Sequence, residues 1–108
     1  MPVHRKRRRY LKFWIRGDKG FSVKEVADAI QRSTQVLFGV QGLSTIEPNL
    51  IDFDEDSQSG ILRCSHSHLR EMRASLAFVT TMGESAAAMH VDKVSGTIRS
   101  LKKKRETA

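Results

Sequence analysis

The residues with the clearest chemical capacity in this sequence are basic, and they are concentrated at the two ends of the chain. Each end carries five cations: Arg5, Lys6, Arg7, Arg8 and Arg9, then Arg99, Lys102, Lys103, Lys104 and Arg105. Residues 10–98 are slightly acidic, so the net charge of +7 comes from the ends. Clustered Lys and Arg attract a polyanion because each neutralised phosphate releases counterions. The pattern indicates nucleic acid as a partner; the alternative is two solubilising tails.

Aromatic residues alternate with cations directly after the first basic run. Residues 10–16 place Leu11, Phe13 and Ile15 on one side of a strand and Tyr10, Lys12, Trp14 and Arg16 on the other. A later strand is expected to set Arg63 beside the second group. Such a surface suits stacking of bases and neutralisation of phosphates. Contact of Trp14 with another protein is an equally open alternative.

Three small residues near the C-terminus form another candidate contact. Ser95, Gly96 and Thr97 place a glycine between two hydroxyl side chains, which permits close approach of the backbone to a phosphate. A bulge that redirects the chain is the structural alternative.

Metal and catalytic sites are weakly indicated. Cys64, His66 and His68 alternate and could ligate zinc, but a fourth ligand is missing nearby. The carboxylates Asp52 and residues 54–56 fit a solvated hairpin turn better than a Mg²⁺ site. No nucleophile and base are suggested by their spacing. We therefore predict no catalytic residue, no metal site and no cofactor bound by the chain itself.

The order of elements is predicted as β-α-β-β-α-β. The first helix begins with a capping box at Ser22 and Glu25, follows an apolar stripe from Val23 to Leu37 and ends near Gly39. A loop is expected between Gly42 and Pro48. The hairpin strands are expected at residues 50–53 and 61–66, the second helix from the cap Ser67 to near Gly83, and the last strand within residues 87–98.

This order predicts an α+β, ferredoxin-like βαββαβ sandwich. Two helices would cover one face of a four-stranded antiparallel sheet and leave the other face open. The predicted organisation is a basic N-terminal arm (1–9), one domain (10–98) and a basic C-terminal tail (99–108).

Composition limits the class of protein. The chain of 108 residues fits one domain, and its single cysteine excludes an internal disulfide framework. The basic N-terminus is not followed by the apolar stretch of a signal peptide, and no window resembles a transmembrane helix. We expect a cytoplasmic protein with no membrane partner.

Three segments together resemble a known family. They are residues 9–11, opening the first strand, residues 60–64 in the third, and residues 94–99 closing the last. Their order and spacing resemble ribonuclease P protein component 2, the small ferredoxin-like subunit of the archaeal enzyme, which has eukaryotic counterparts in ribonucleases P and MRP. The resemblance covers about residues 8–102. The chain ends soon after Lys104 and Arg105, whereas eukaryotic members carry long C-terminal extensions, which favours an archaeal source.

The resemblance implies a function. A member of this family would join a catalytic RNA that removes the 5′ leader from precursor tRNA. The RNA and its Mg²⁺ ions would perform the cleavage, and the protein would support the RNA fold. The implied protein partner is ribonuclease P protein component 3, in a pair that can form a heterotetramer.

The alternatives are a free-standing single-stranded RNA-binding domain of the RNA-recognition type and a small acylphosphatase-like enzyme. The enzyme would need an Arg in a glycine-containing loop after the first strand, where only Lys19 is found.

Overall fold

The computed structural model of the protein describes residues 7–101. In chain order the elements are β1 (Arg8–Gly17), α1 (Val23–Ile46), β2 (Asn49–Asp54), β3 (Ser59–Ser65), a 3₁₀ helix (His66–His68), α2 (Leu69–Phe78), β4 (Thr81–Met82) and β5 (Ser85–Ser95). Residues 98–101 form a last helical turn.

The strands form one antiparallel sheet in the order β2-β3-β1-β5-β4. It has five strands, whereas the sequence analysis predicts four. The difference arises because α2 ends at Phe78 and not near Gly83. Because the helix ends early, Thr81 and Met82 are extended and pair with the start of β5. They form the two-residue strand β4, which lies at the edge of the sheet.

Apolar side chains from both helices and the sheet share one core. The predicted inward residues Leu11, Phe13 and Ile15 of β1 are buried. They belong to a cluster with Val26 and Ile30 of α1, Met72 and Leu76 of α2, and Leu62 and Cys64 of β3. Both helices therefore pack on the face of the sheet that these strand residues define. The hydrophobic effect of burying this alternating set fixes which face of β1 meets the helices.

Helix α1 begins as predicted and ends later. The Ser22 hydroxyl accepts from the Glu25 N–H, and the Glu25 carboxylate accepts from the Ser22 N–H, as in a capping box. Gly39 interrupts the helix with φ +74°, but helical structure resumes and continues to Ile46, where a loop is predicted. Val23 and Leu37, predicted to be buried, are exposed.

An exposed apolar patch surrounds this kink. It consists of Val36, Leu37, Phe38 and Val40, and the side chain of Val40 is the most exposed at 71%. Glycine at position 39 tolerates the left-handed backbone that lets the second helical segment change direction.

The second helix also differs from its prediction. The 3₁₀ turn at His66–His68 precedes it, its N-cap is His68, and no side chain caps it, so Ser67 is not the cap. Met72, Leu76 and Val79 are buried, whereas Thr80 lies beyond the helix and is exposed.

The pairing of β5 with β1 contains one extra residue. Lys12 lies opposite Lys93 and Phe13 lies opposite Val91, so Asp92 forms a bulge. A bulge reverses the alternation of side chains along the strand. Val91 and Val94 therefore both pack against the helix-covered core, although three positions separate them.

The ends of the domain extend beyond their predicted bounds. β1 begins at Arg8, so Arg8 and Arg9 belong to the sheet, although the prediction places them in the arm. Leu101 is fully buried, although the prediction places it in the tail.

Candidate nucleic-acid interface

The sheet face opposite the helices, here called the outer face, is the candidate interface. The alternation of β1 directs Tyr10, Lys12, Trp14 and Arg16 toward it, because Leu11, Phe13 and Ile15 occupy the core side. Their cross-strand neighbours on β3 are Arg63, Ile61 and Ser59. On β5 they are Ser95, Lys93, His90 and Ala88. Arg63 therefore lies beside the outward group of β1, as predicted, and its direct partner there is Tyr10.

Trp14 is the most exposed apolar group of this surface, with 40% of its side chain accessible. Its indole stacks on the imidazole of His90, with ring centroids 4.3 Å apart and planes inclined by 23°. Stacking against β5 turns the other face of the indole toward β3, where the opposite residue is the small Ser59. An aromatic face beside a small residue leaves space for a planar ring such as a nucleobase.

Two lysines face each other next to this stack. Lys12 and Lys93 are directly paired across β1 and β5, and both are half-buried. Like charges in direct cross-strand opposition destabilise a sheet. An anion lying over the pair would relieve this repulsion, so their position fits a phosphate contact.

Two arginines lie at the other end of the face. The Nε atoms of Arg8 and Arg63 are buried and have no hydrogen-bond partner within the part of the chain that the structure describes. Buried N–H groups are normally paired, and an unpaired one needs an explanation. A phosphate oxygen is a suitable acceptor because it accepts from a guanidinium in a charge-assisted bond.

The outer face is not open over its whole length. Ile61 points to this face through its pairing with Lys12, yet only 6% of it is exposed. Ile61 and the fully buried Leu101 both lie outside the main core cluster. Tyr10 is half-buried, whereas Trp14 and Arg16 are exposed. The accessible part is therefore the end around Trp14.

Acidic residues mark the β2 side of the same face. Asp52 pairs with Ile61, and Asp54 pairs with Ser59, which places both carboxylates on the outer face beyond β3. Both are exposed. The surface is therefore polarised, with cations along β1 and β5 and carboxylates along β2, and a polyanion would be directed to the β1–β5 side.

The remaining predicted contact residues are dispersed. Arg9 pairs with Cys64 and so points to the face opposite Arg8, with its Nη1 near Gly96. The Ser95 hydroxyl accepts from the Thr97 N–H, and the Thr97 hydroxyl accepts from the Ser100 N–H. These bonds start the last helical turn, which carries the exposed Arg99.

The Arg7 carbonyl extends the sheet by accepting from the His66 N–H. The predicted cations Arg5, Lys6, Lys102, Lys103, Lys104 and Arg105 lie outside the described residues.

Cys64, His66 and His68 do not form a metal site. Within residues 7–101, no three His, Cys, Asp or Glu side chains are grouped so that they could hold an ion. Cys64 is buried among apolar residues, and this burial raises the pKa of its thiol to about 11, with a smaller contribution from the Glu71 charge. Over the same range, no helix has the length and apolarity to cross a bilayer.

His90 and Lys93 were missed by the sequence reasoning. Met89 and Val91 alternate around His90, which is sufficient to predict that its side chain points outward. Its partner Trp14 is distant in sequence, and the register that joins them depends on the bulge at Asp92. Local patterning contains no signal for that register.

The fold and the site define a small α+β domain with one helix-covered and one basic, aromatic sheet face. A family model described as the Rpp14/Pop5 family matches residues 9–105. The chain belongs to this family.

Curated relatives and a solved structure agree with this assignment. "Ribonuclease P protein component 2" of Thermococcus gammatolerans is 39% identical over 103 residues, which is 95% of this chain and 86% of that protein. The protein of the same name from Pyrococcus furiosus is 35% identical over the same shares. A chain in the cryo-EM structure of yeast ribonuclease MRP matches with a TM-score of 0.72, covering 98% of this chain and 94% of that one. Its sequence identity is 14%, so this likeness concerns the fold.

Proposed function

We propose that this protein is a non-catalytic subunit of ribonuclease P, which binds and supports the catalytic RNA during removal of the 5′ leader from precursor tRNA. Membership of the Rpp14/Pop5 family carries the proposal, because that match spans residues 9–105 and includes the outer face. The cations of that face, Lys12, Lys93, Arg16 and Arg63, are arranged to neutralise phosphates.

The proposal extends to the assembly and its location. The partners of this chain would be the catalytic RNA, precursor tRNA and ribonuclease P protein component 3. The two proteins would assemble as a heterotetramer, and the complex would act in the cytoplasm. The Mg²⁺ ions of the reaction would be bound by the RNA. The sheet order β2-β3-β1-β5 is that of a ferredoxin-like βαββαβ unit, and we regard β4 as an addition to its edge.

Reconstitution tests this function. The protein is combined with ribonuclease P RNA, Mg²⁺ and the partner subunit, and release of the 5′ leader from precursor tRNA is measured. We expect cleavage from the assembly, a lower rate when this chain is omitted, and no cleavage by this chain alone. Metal-dependent cleavage by the RNA-free protein would contradict the non-catalytic role.

A free-standing single-stranded RNA-binding domain is the second candidate. The exposed Trp14–His90 stack favours it, since aromatic platforms bind unpaired bases without a larger assembly. Copurification separates the two candidates. Recovery of ribonuclease P RNA with the protein supports the subunit, whereas recovery of mixed messenger fragments supports the free-standing domain.

A further inference from the structure

A groove beside the outer face has no assigned role. It lies between α2 and β5, has a volume of about 460 Å³, and is lined on one side by Arg70, Arg73 and Ala77 and on the other by Met89, His90 and Val91. Of these residues, only His90 also belongs to the outer face described above.

The groove combines exposed cations with the edge of a strand. Arg70 and Arg73 are exposed and one helical turn apart, and neither has a carboxylate within 4 Å among the described residues. The edge of β5 that faces the groove pairs with β4 only at Ser85 and Ala86, followed by one bond from the Ala87 N–H to the Thr80 carbonyl. From residue 88 onward, β1 is the only strand partner of β5 within residues 7–101. Such an edge presents unpaired N–H groups.

His90 joins the groove to the outer face. The residue lines the groove, and its ring stacks on Trp14. His90 therefore makes the two surfaces adjacent around the edge of β5. Asp92 is the exposed acid on this strand, and it lies in the bulge beyond Val91.

We propose that this groove holds the phosphodiester backbone of an RNA segment that continues over His90 onto the Trp14 surface. The inference rests on the proposed function, since it names where the bound RNA leaves the sheet. Guanidinium groups and strand-edge N–H groups are both donors to phosphate oxygens. Charge complementarity thus favours RNA, in which every residue carries a phosphate, over an added peptide strand without acidic side chains, which would leave the two arginines unpaired.

The test compares two double variants of the full chain. Arg70→Gln with Arg73→Gln removes the groove charges, and Lys24→Gln with Arg32→Gln removes two exposed charges from α1 as a matched control. The probes are ribonuclease P RNA and a 15-nucleotide mixed-sequence single-stranded RNA. Affinity is measured against salt concentration, and circular dichroism confirms that each variant is folded.

We expect the groove variant to lose roughly tenfold in affinity, while the control stays near the unaltered protein. The salt slope should fall by about 0.7–1 for each arginine removed. If both variants bind as tightly as the unaltered protein, the groove proposal is overturned and the proposed function is left intact. If both variants lose the same affinity, the groove proposal is also overturned, because the loss would reflect net charge alone. Failure of the unaltered protein to bind either RNA would overturn both proposals.

A second variant tests the groove without removing arginines. Ala74 is exposed and lines the groove, so Ala74→Glu introduces a carboxylate there. Gln35→Glu on the exposed side of α1 is its control. A loss of RNA affinity with Ala74→Glu alone supports the groove. Unchanged RNA binding, with loss of a protein subunit instead, would assign the β5 edge to a protein strand and overturn the proposal.

Discussion

The side chain of Gln58 forms two hydrogen bonds with the backbone of Phe21. Its Oε1 accepts from the Phe21 N–H at 2.9 Å, and its Nε2 donates to the Phe21 carbonyl at 3.0 Å. The Gln58 carbonyl also accepts from the Ile15 N–H. One residue of the β2–β3 turn therefore fixes both the end of β1 and the entry to α1.

Replacement of Gln58 by Ala should destabilise the fold. Both bonds to Phe21 are lost, and the partly buried N–H and carbonyl lose their partners, at a cost of about 1–3 kcal/mol. Urea unfolding measures this loss. Gln41→Ala is the control, since Gln41 is exposed and makes no side-chain hydrogen bond within residues 7–101. Equal midpoints for the two variants would show that the Gln58 contacts do not stabilise the protein.

Trp14→Ala should impair RNA binding and spare the core. Trp14 points away from the helices and is 40% exposed, so its removal leaves the main cluster intact. Loss of a stacking surface should weaken binding by about 1–3 kcal/mol, and Trp14→Phe should retain most of the affinity. Filter binding and thermal melting separate the two effects. A large fall in melting temperature with unchanged affinity would show that the indole has a structural role.

A deletion of the basic ends must keep Leu101, because Leu101 is buried. The structure predicts that Leu101→Ala alone costs about 2–5 kcal/mol. Removal of residues 102–108 with residues 1–6 leaves Leu101 in place. That deletion should preserve melting while RNA affinity and its salt slope fall, by about 0.7–0.9 per lost phosphate contact. An unchanged slope would identify the ends as solubilising tails.

The buried thiol of Cys64 predicts a loss of stability at alkaline pH. Its pKa is raised from 9.0 to about 11, chiefly by burial. Above pH 9 the unfolded chain releases this proton while the folded chain keeps it, so the free energy of unfolding contributed by Cys64 falls between pH 9 and 11. Urea unfolding at pH 8 and pH 10.5 measures the difference. Cys64→Ala should reduce the change between the two pH values; an identical change would exclude the thiol as its source.

Much of the sheet and the start of α1 could be predicted from local patterns. The alternation of Leu11, Phe13 and Ile15 is sufficient because burial of one face of a strand selects every second residue. The capping box at Ser22 and Glu25 is equally local, since both of its bonds span three residues.

The features that were mispredicted depend on distant parts of the chain. Leu37 continues an apolar stripe by spacing, yet its side chain is exposed, and helical structure resumes after Gly39 and continues to Ile46. Strand β4 has two residues and forms only because α2 ends early. In the candidate site, the outward side chains of β1 and of Arg63 could be predicted from alternation. The pairing of Trp14 with His90 could not, because it depends on the register between strands about 75 residues apart in sequence.

The single extra residue in β5 has a genetic consequence. Because Asp92 is the bulge, loss of that one codon would return β5 to regular alternation against β1. Lys93 would stay opposite Lys12 and Val91 opposite Phe13, so His90 and Lys93 would keep the outer face while Val91 and Val94 would keep the core side. An in-frame deletion of this codon would therefore disturb the strand less than deletion of the Val91 codon, after which Asp92 would lie opposite Phe13 on the core side.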